Sequence, residues 1–277
     1  MNRHPLHEIT QEQIDTYHRD GVVVLRNLID AEWIERMQAA IARVSADPAE
    51  YGVMGPSAGK NKMISVCYVW RNDPDFRAYV EESPIGEAVG KIIGAQWIRV
   101  YHDHLFSKPA LSPSIMPWHC DETAWPVTGE MAPNIWTAFT PVNAENGRVE
   151  YVAGWHRHCV DNGLTFGFTP DQAGGLCPNF EAERNNPDFP FRFVTFDMEP
   201  GDAVIFHPHT PHFSKGNDSP VMARTGLAVR MFGDDVRWKN APYKAGIPGI
   251  DTMPEGQQPD SDLLPIIWRR DEALQSA

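Results

Sequence analysis

Apolar positions in the first third of the chain recur at helical spacing, and beyond about residue 95 they regroup into short β-like runs. Thr10-Gln11-Glu12-Gln13 has capping-box form and predicts a short helix ending at Gly21, followed by a buried strand over Val22-Val23-Val24-Leu25. Asp30 suits the N-cap of a second helix, whose Ile34, Met37, Ile41 and Val44 fall three and four residues apart and share a core face. Ser83-Pro84 opens another, with Ile85, Ala88, Val89, Ile92 and Ile93 inward and Gly94 at its end. Residues 48–62, rich in Gly, Pro, Ser and Lys, predict a loop and a candidate lid.

The later runs, 97–106, 134–142, 149–152, 191–196, 203–207 and 225–232, are broken by Pro, Gly and Asn, which suits a sandwich or jelly roll. The expected architecture is mainly β with flanking α-helices. It forms a single domain over 1–277, in which a helical N-terminal third packs on a β core from about 95 to 238. The irregular stretch 161–188 is long enough to expect a functional or mobile insertion. The tail from residue 239 is expected to dock back through 263–268.

Composition narrows the class. The 277 residues are 42% hydrophobic, enough for a sizeable core, yet no window approaches the roughly 18 apolar residues of a membrane span. The first residues show no apolar signal region, and Cys67, Cys120, Cys159 and Cys177 form no Cys-x-x-Cys pair. A cytoplasmic protein with reduced thiols is therefore expected. The formal charge of −13 disfavours a nucleic-acid partner and is otherwise read as an aid to solubility.

The candidate chemistry lies in two histidine-bearing stretches. His119 and Asp121 flank one residue, and on extended chain both would point to the same side, leaving Cys120 as a core thiol. A third ligand would come from His207, His209 or His212. Two imidazoles and one carboxylate can hold Fe(II) on one face, leaving positions for an oxidisable co-substrate and O2.

The segments QIDTYHRDGVVVLRNLI, FSKPALSPSIMPWHCDETAWP, IWTAFTPVNAENGRVEYVAGWHRH, GDAVIFHPHTPHFSKGN and ARTGLAVRMFGDD occur in one order up to about Trp238. In them the chain resembles the phytanoyl-CoA dioxygenase family of Fe(II)/2-oxoglutarate oxygenases. The resemblance implies a double-stranded β-helix, that is, a jelly roll, with His119, Asp121 and His212 as metal ligands. It selects His212 because Ser214 and Asn217 follow at the family's spacing, and it leaves His207 and His209 to packing. It also implies that Arg224 pairs with the distal carboxylate of 2-oxoglutarate, that Ser214 shares that carboxylate, and that Trp136 lines the co-substrate pocket. His104 stands where relatives often carry a polar co-substrate contact, commonly Gln. Where the family has Pro-Gly-Ser-His, this chain has Ala153-Gly154-Trp155-His156.

The expected reaction is oxidation, foremost hydroxylation, of a small molecule, with release of succinate and CO2. Retention of Asp121 sets the chain apart from related halogenases, which replace that carboxylate. Arg230 is open between a second carboxylate contact and a surface ion pair. Trp70, Arg71, Trp125, Trp155 and Trp238 either line the opening or, as is commoner for large aromatics, fill core. No basic cluster suits the phosphates of a CoA thioester. Two other readings stand beside this one: a jelly-roll zinc or manganese isomerase or hydrolase, and a non-catalytic binding member of the family.

Overall fold

The computed structural model describes residues 1–55, 61–167, 175–240, 249–250 and 253–270. Seven α-helices are present among them: α1 (Gln11–Asp20), α2 (Ala31–Ala46), α3 (Pro48–Tyr51), α4 (Pro74–Glu82), α5 (Ile85–Ile93), α6 (Trp155–Asn162) and α7 (Phe180–Glu183). The Thr10 hydroxyl accepts from the Gln13 backbone N–H while the Gln13 side chain accepts from the Thr10 N–H, so the capping box is complete. Gly21 ends α1 at φ +72°, and a Cβ there would lie 2.4 Å from His156 Nδ1; both conformation and space require glycine. Met37, Ile41 and Val44 on α2 are buried as the spacing predicts, whereas Ile34 is half-buried.

The strands are β1 (Val22–Leu25), β2 (Val53–Met54), β3 (Ile64–Cys67), β4 (Trp97–Lys108), β5 (Met116–His119), β6 (Val127–Thr128), β7 (Asn134–Ala138), β8 (Glu150–Ala153), β9 (Arg192–Thr195), β10 (Ala203–Phe206), β11 (His212–Ser214), β12 (Arg224–Phe232), β13 (Arg237–Trp238) and β14 (Ile266–Arg269). The larger sheet runs β1-β10-β7-β12-β4-β3-β2, with β14 added on β4. The smaller runs β5-β11-β8-β9, and the strands named here all pair antiparallel. Val22, Trp136, Val204 and Ala228 of the large sheet form one buried cluster with Tyr151 of the small one, so the sheets pack face to face. The helical third covers the other side of the large sheet, where Trp33, Met37, Phe76, Ile85 and Val89 pack with Ile135, Leu227 and Val229.

Several expectations are corrected. The helix expected after Ser83-Pro84 is α5 and ends at Gly94 as expected, but Ser83 does not cap it: Ser83 ends α4, which the apolar pattern did not reveal, and α5 has no side-chain cap. The 48–62 segment holds α3 and β2 rather than only loop, and residues 56–60 of the expected lid lie outside the described residues. In 161–188, Phe180 on α7 is buried against Trp155 and Val152; 168–174 lie outside the described residues. Trp70, Trp125, Trp155 and Trp238 are all buried in the core, the commoner of the two readings that the sequence left open, and that outcome needs no correction. No described helix is long and apolar enough to cross a membrane.

Candidate metal and co-substrate site

His119 closes β5 and His212 opens β11, and the two are direct cross-strand partners with ring centroids 4.1 Å apart. The equal-side argument for His119 and Asp121 does not hold, because Asp121 has left the strand in a helical conformation (φ −78°, ψ −29°). It reaches the histidines through the turn: its N–H donates to Pro208 O at 3.0 Å, which ties that turn to the segment leading into β11. One donor atom from each of His119, Asp121 and His212 lies within 4.8 Å of the others, a spacing that a single cation can bridge.

The protonation states suit a cation. His119 Nδ1 is 2.8 Å from Pro117 O, and His212 Nδ1 is 3.1 Å from Thr210 O. A carbonyl only accepts, so each Nδ1 carries the proton and each Nε2 keeps its lone pair. Burial, followed by the neighbouring His212, pushes His119 down to about 3, and burial also lowers His212. Burial opposes ionisation of Asp121, but Arg230, both histidines and an Asn134 N–H donated at 2.9 Å outweigh it and hold the carboxyl at about 2. Asn134 is a partner that sequence reasoning missed. Its only signal is its place on β7, two residues before Trp136.

The co-substrate residues gather in the same pocket. Arg224, Ser214 and Trp136 line it together with His119 and His212. Arg224 is 3% exposed, its Nε has no hydrogen-bond partner, and its guanidinium lies 4.9 Å from the centre of the Trp136 ring. Gly226 makes that arrangement possible, because a Cβ there would sit 1.9 Å from Trp136 Cζ2. Asn217 is a structural clamp, donating to the carbonyls of Pro109 and Met222 at 2.9 and 2.7 Å.

Lys108 was not foreseen. It is the cross-strand partner of Arg224, fully buried, and its Nζ donates to Ser214 Oγ at 2.8 Å and to Lys215 O at 2.5 Å. When Lys108 donates to Ser214, the hydroxyl proton of Ser214 is left for an anion in the pocket.

His104 sits apart from the Arg224 group. It lies on the same face of β4 as Phe106, its Nε2 is 2.7 Å from Ser65 Oγ, and its donor atoms cluster with those of Cys67 and His102. His207 packs among Tyr17, His156 and His209 and joins no described metal cluster. Arg230 is not a surface residue: it is 7% exposed and lies in the pocket, with Nη2 3.8 Å from Asp121 Oδ1.

Known proteins are similar to this chain in sequence and in fold. The chain is 28% identical over 160 residues to an ectoine dioxygenase of Bordetella parapertussis, covering 55% of this chain and 51% of that one. It thus spans about half the length of that relative. It is 27% identical over 223 residues to the human peroxisomal phytanoyl-CoA dioxygenase, covering 76% and 64%. Among solved structures, the α-ketoglutarate-dependent carbocyclase SnoK from nogalamycin biosynthesis superposes with a TM-score of 0.74 at 20% identity, over 96% of this chain and 99% of SnoK. The ectoine dioxygenase EctD of S. alaskensis gives 0.67 at 18%, over 88% and 85%. The phytanoyl-CoA dioxygenase (PhyH) family matches residues 17–226, which takes in the histidine-aspartate turn, the second histidine and the arginine of β12, and this chain belongs to that family.

Proposed function

We propose that this protein is an Fe(II)- and 2-oxoglutarate-dependent oxygenase that hydroxylates a small molecule. The observation that carries the reading is the convergence of His119, Asp121 and His212 at one pocket, which both histidines line together with Arg224, backed by Trp136, and Ser214. Both imidazoles are neutral with Nε2 unprotonated, the carboxylate is ionised, and a buried guanidinium Nε lacks a partner, so the residues fit a hard divalent cation beside a dicarboxylate.

Bound Fe(II), with 2-oxoglutarate and O2, supplies the oxidant, and 2-oxoglutarate is consumed to succinate and CO2. The protein's own part is placement. His119, Asp121 and His212 hold the metal. The planar fork of Arg224 takes the distal carboxylate, and Ser214 adds a hydroxyl donor whose orientation Lys108 sets. Trp136 fills the pocket wall and keeps the Arg224 guanidinium in place. His104 belongs to a neighbouring polar group rather than to this cradle.

Asp121 supports hydroxylation over halogenation, because it occupies the coordination position that a halide would need. SnoK is a carbocyclase and SnoN, also from nogalamycin biosynthesis and similar in fold, an epimerase, while the ectoine and phytanoyl-CoA relatives are dioxygenases; hydroxylation is the outcome proposed here. A zinc isomerase or hydrolase would have no use for the Arg224 and Ser214 pair. Because both sheets line the pocket, the sandwich is read as a double-stranded β-helix and the chain as one domain acting on small molecules.

Anaerobic titration of the metal-free protein with Fe(II) and then 2-oxoglutarate tests the assignment. A weak visible charge-transfer band is expected, followed by succinate release in air. A folded, iron-loaded protein without that band would point instead to the isomerase, hydrolase or non-catalytic readings.

A further inference from the structure

We propose that Arg230 heads a second anion site, on the opposite side of the metal ligands from Arg224, and that the molecule oxidised is a small carboxylic acid anchored there by its carboxylate. This rests on the oxygenase reading above and names its substrate class.

The strand geometry separates the two arginines. Both occupy β12, six residues apart and therefore on the same face, with only Gly226 and Ala228 between them on that face. At about 3.3 Å per residue, their backbones are roughly 20 Å apart. Arg224 sits beside Ser214 and Trp136, while Arg230 sits beside Asn134 and Asp121. Ala228 lines the same pocket as both arginines, while the space over Gly226 is taken by the Trp136 ring.

Arg230 is built in yet incompletely satisfied. It is 7% exposed, and neither Nε nor Nη1 has a hydrogen-bond partner. Its one anionic neighbour at contact range among the described residues, Asp121, lies at 3.8 Å, beyond hydrogen-bonding distance, and already accepts from Asn134. A buried guanidinium in this state is costly unless an anion completes it. His102, its cross-strand partner, is 4% exposed and also has an unpartnered Nδ1. His104 lies two residues further along the same face.

The surroundings choose the ligand. Cys67, His102 and His104 bring donor atoms together as a metal site would, but the Arg230 guanidinium beside them disfavours a second cation; burial first, and then Arg230, holds both imidazoles neutral. One cationic fork with neutral imidazoles matches a monoanionic planar carboxylate better than a dianionic phosphate. Met63, Phe106 and Met116 give the pocket an apolar wall, but register sets them toward the Arg224 end, beside Gly226 and Ser214, so the body of the acid is left to the size series below. 2-Oxoglutarate has its distal carboxylate assigned to Arg224, which leaves Arg230 for the second reactant.

The test uses carboxylic acids graded in size from acetate to 3-phenylpropanoate, each paired with its neutral amide. Binding is followed by tryptophan fluorescence in metal-free protein whose Arg224 site is filled with N-oxalylglycine, a 2-oxoglutarate isostere. The wild type is expected to bind at least one acid tenfold or more tightly than its amide. Arg230→Gln should abolish that preference and leave 2-oxoglutarate binding within twofold, whereas Arg224→Gln should do the reverse. Arg230→Lys, which keeps charge and packing without the fork, should retain part of the preference and guards against a variant that fails to fold. If no acid is preferred, or if Arg230→Gln weakens 2-oxoglutarate tenfold and leaves the preference intact, the proposal is wrong and Arg230 serves the co-substrate or the metal ligand instead. A wild type that binds no 2-oxoglutarate yet prefers acids through Arg230 would remove the oxygenase reading and keep the anion site.

Discussion

Lys108 and Arg224 face each other across the ladder between β4 and β12, two buried basic side chains with Ser214 hydrogen-bonded to the lysine. Burial, then the neighbouring arginine, pushes the Lys108 ammonium down to about 6. A carboxylate docking on Arg224 brings the missing negative charge and raises that value. At a pH above about 6 the lysine is mostly neutral before binding and charged after it, so binding takes up a proton. Affinity for 2-oxoglutarate should therefore fall as pH rises above about 6, by up to roughly tenfold per unit until the raised pKa of the complex is passed. Calorimetry at about pH 7.5 in buffers of differing ionisation heat would read the uptake directly. Lys108→Met should abolish it, and a wild type that takes up no proton would sink the idea.

Asn134 should control the metal without touching it. Its side-chain N–H donates to Asp121 Oδ2 at 2.9 Å, and both residues are buried. Asn134→Ala removes the group that orients the carboxylate, and partners of this kind are worth about 10- to 100-fold in metal affinity. Fe(II) titration of the variant, with circular dichroism to confirm the fold, measures the loss. An unchanged affinity would mean that Arg230 alone suffices to hold Asp121.

The physics of the elements explains what was legible in the sequence. The α2 stripe, the capping box before α1 and the β-runs of 97–106 and 225–232 each carry local periodicity, so residues such as Met37, Ile41 and Val229 declared their burial in advance. β5 and β11 are four and three residues long, too short for any period, and their pairing of His119 with His212 is a long-range fact. The histidine–aspartate pair was noticed for the wrong geometric reason, since Asp121 sits in a turn. Lys108 and Asn134 became visible only through register, which also placed Arg230, noticed in the sequence but left open there between a carboxylate contact and a surface ion pair. Each shares a strand face with a residue already suspected, and alternation alone cannot say which face looks inward.

Gly226→Ala should damage both stability and co-substrate binding. The added methyl would meet Trp136 Cζ2 at 1.9 Å, and the Arg224 guanidinium rests 4.9 Å from that ring. Overpacking of this kind costs about 1–3 kcal/mol. Denaturant unfolding should show that loss, and the 2-oxoglutarate requirement should rise at least as much as it does in Arg224→Lys, which loses the fork but keeps the charge. A stable variant with normal co-substrate affinity would show that Trp136 does not position Arg224.

The assignment of the third ligand separates His212 from His207 five residues earlier. Both rings are buried, and burial lowers the pKa of both, so accessibility and charge do not tell them apart. Geometry does: His212 pairs across strands with His119 and turns Nδ1 to Thr210 O, while His207 packs against Tyr17 and His156, with Glu130 at 3.9 Å. His212→Ala should thus lose iron binding and all iron-dependent succinate formation while remaining folded. His207→Ala should open a void under α1, unfold more easily and still bind iron with the wild-type charge-transfer band. Paired metal titrations and thermal unfolding of the two variants decide the matter, and the opposite pattern would move the ligand to His207 and undo the cross-strand argument.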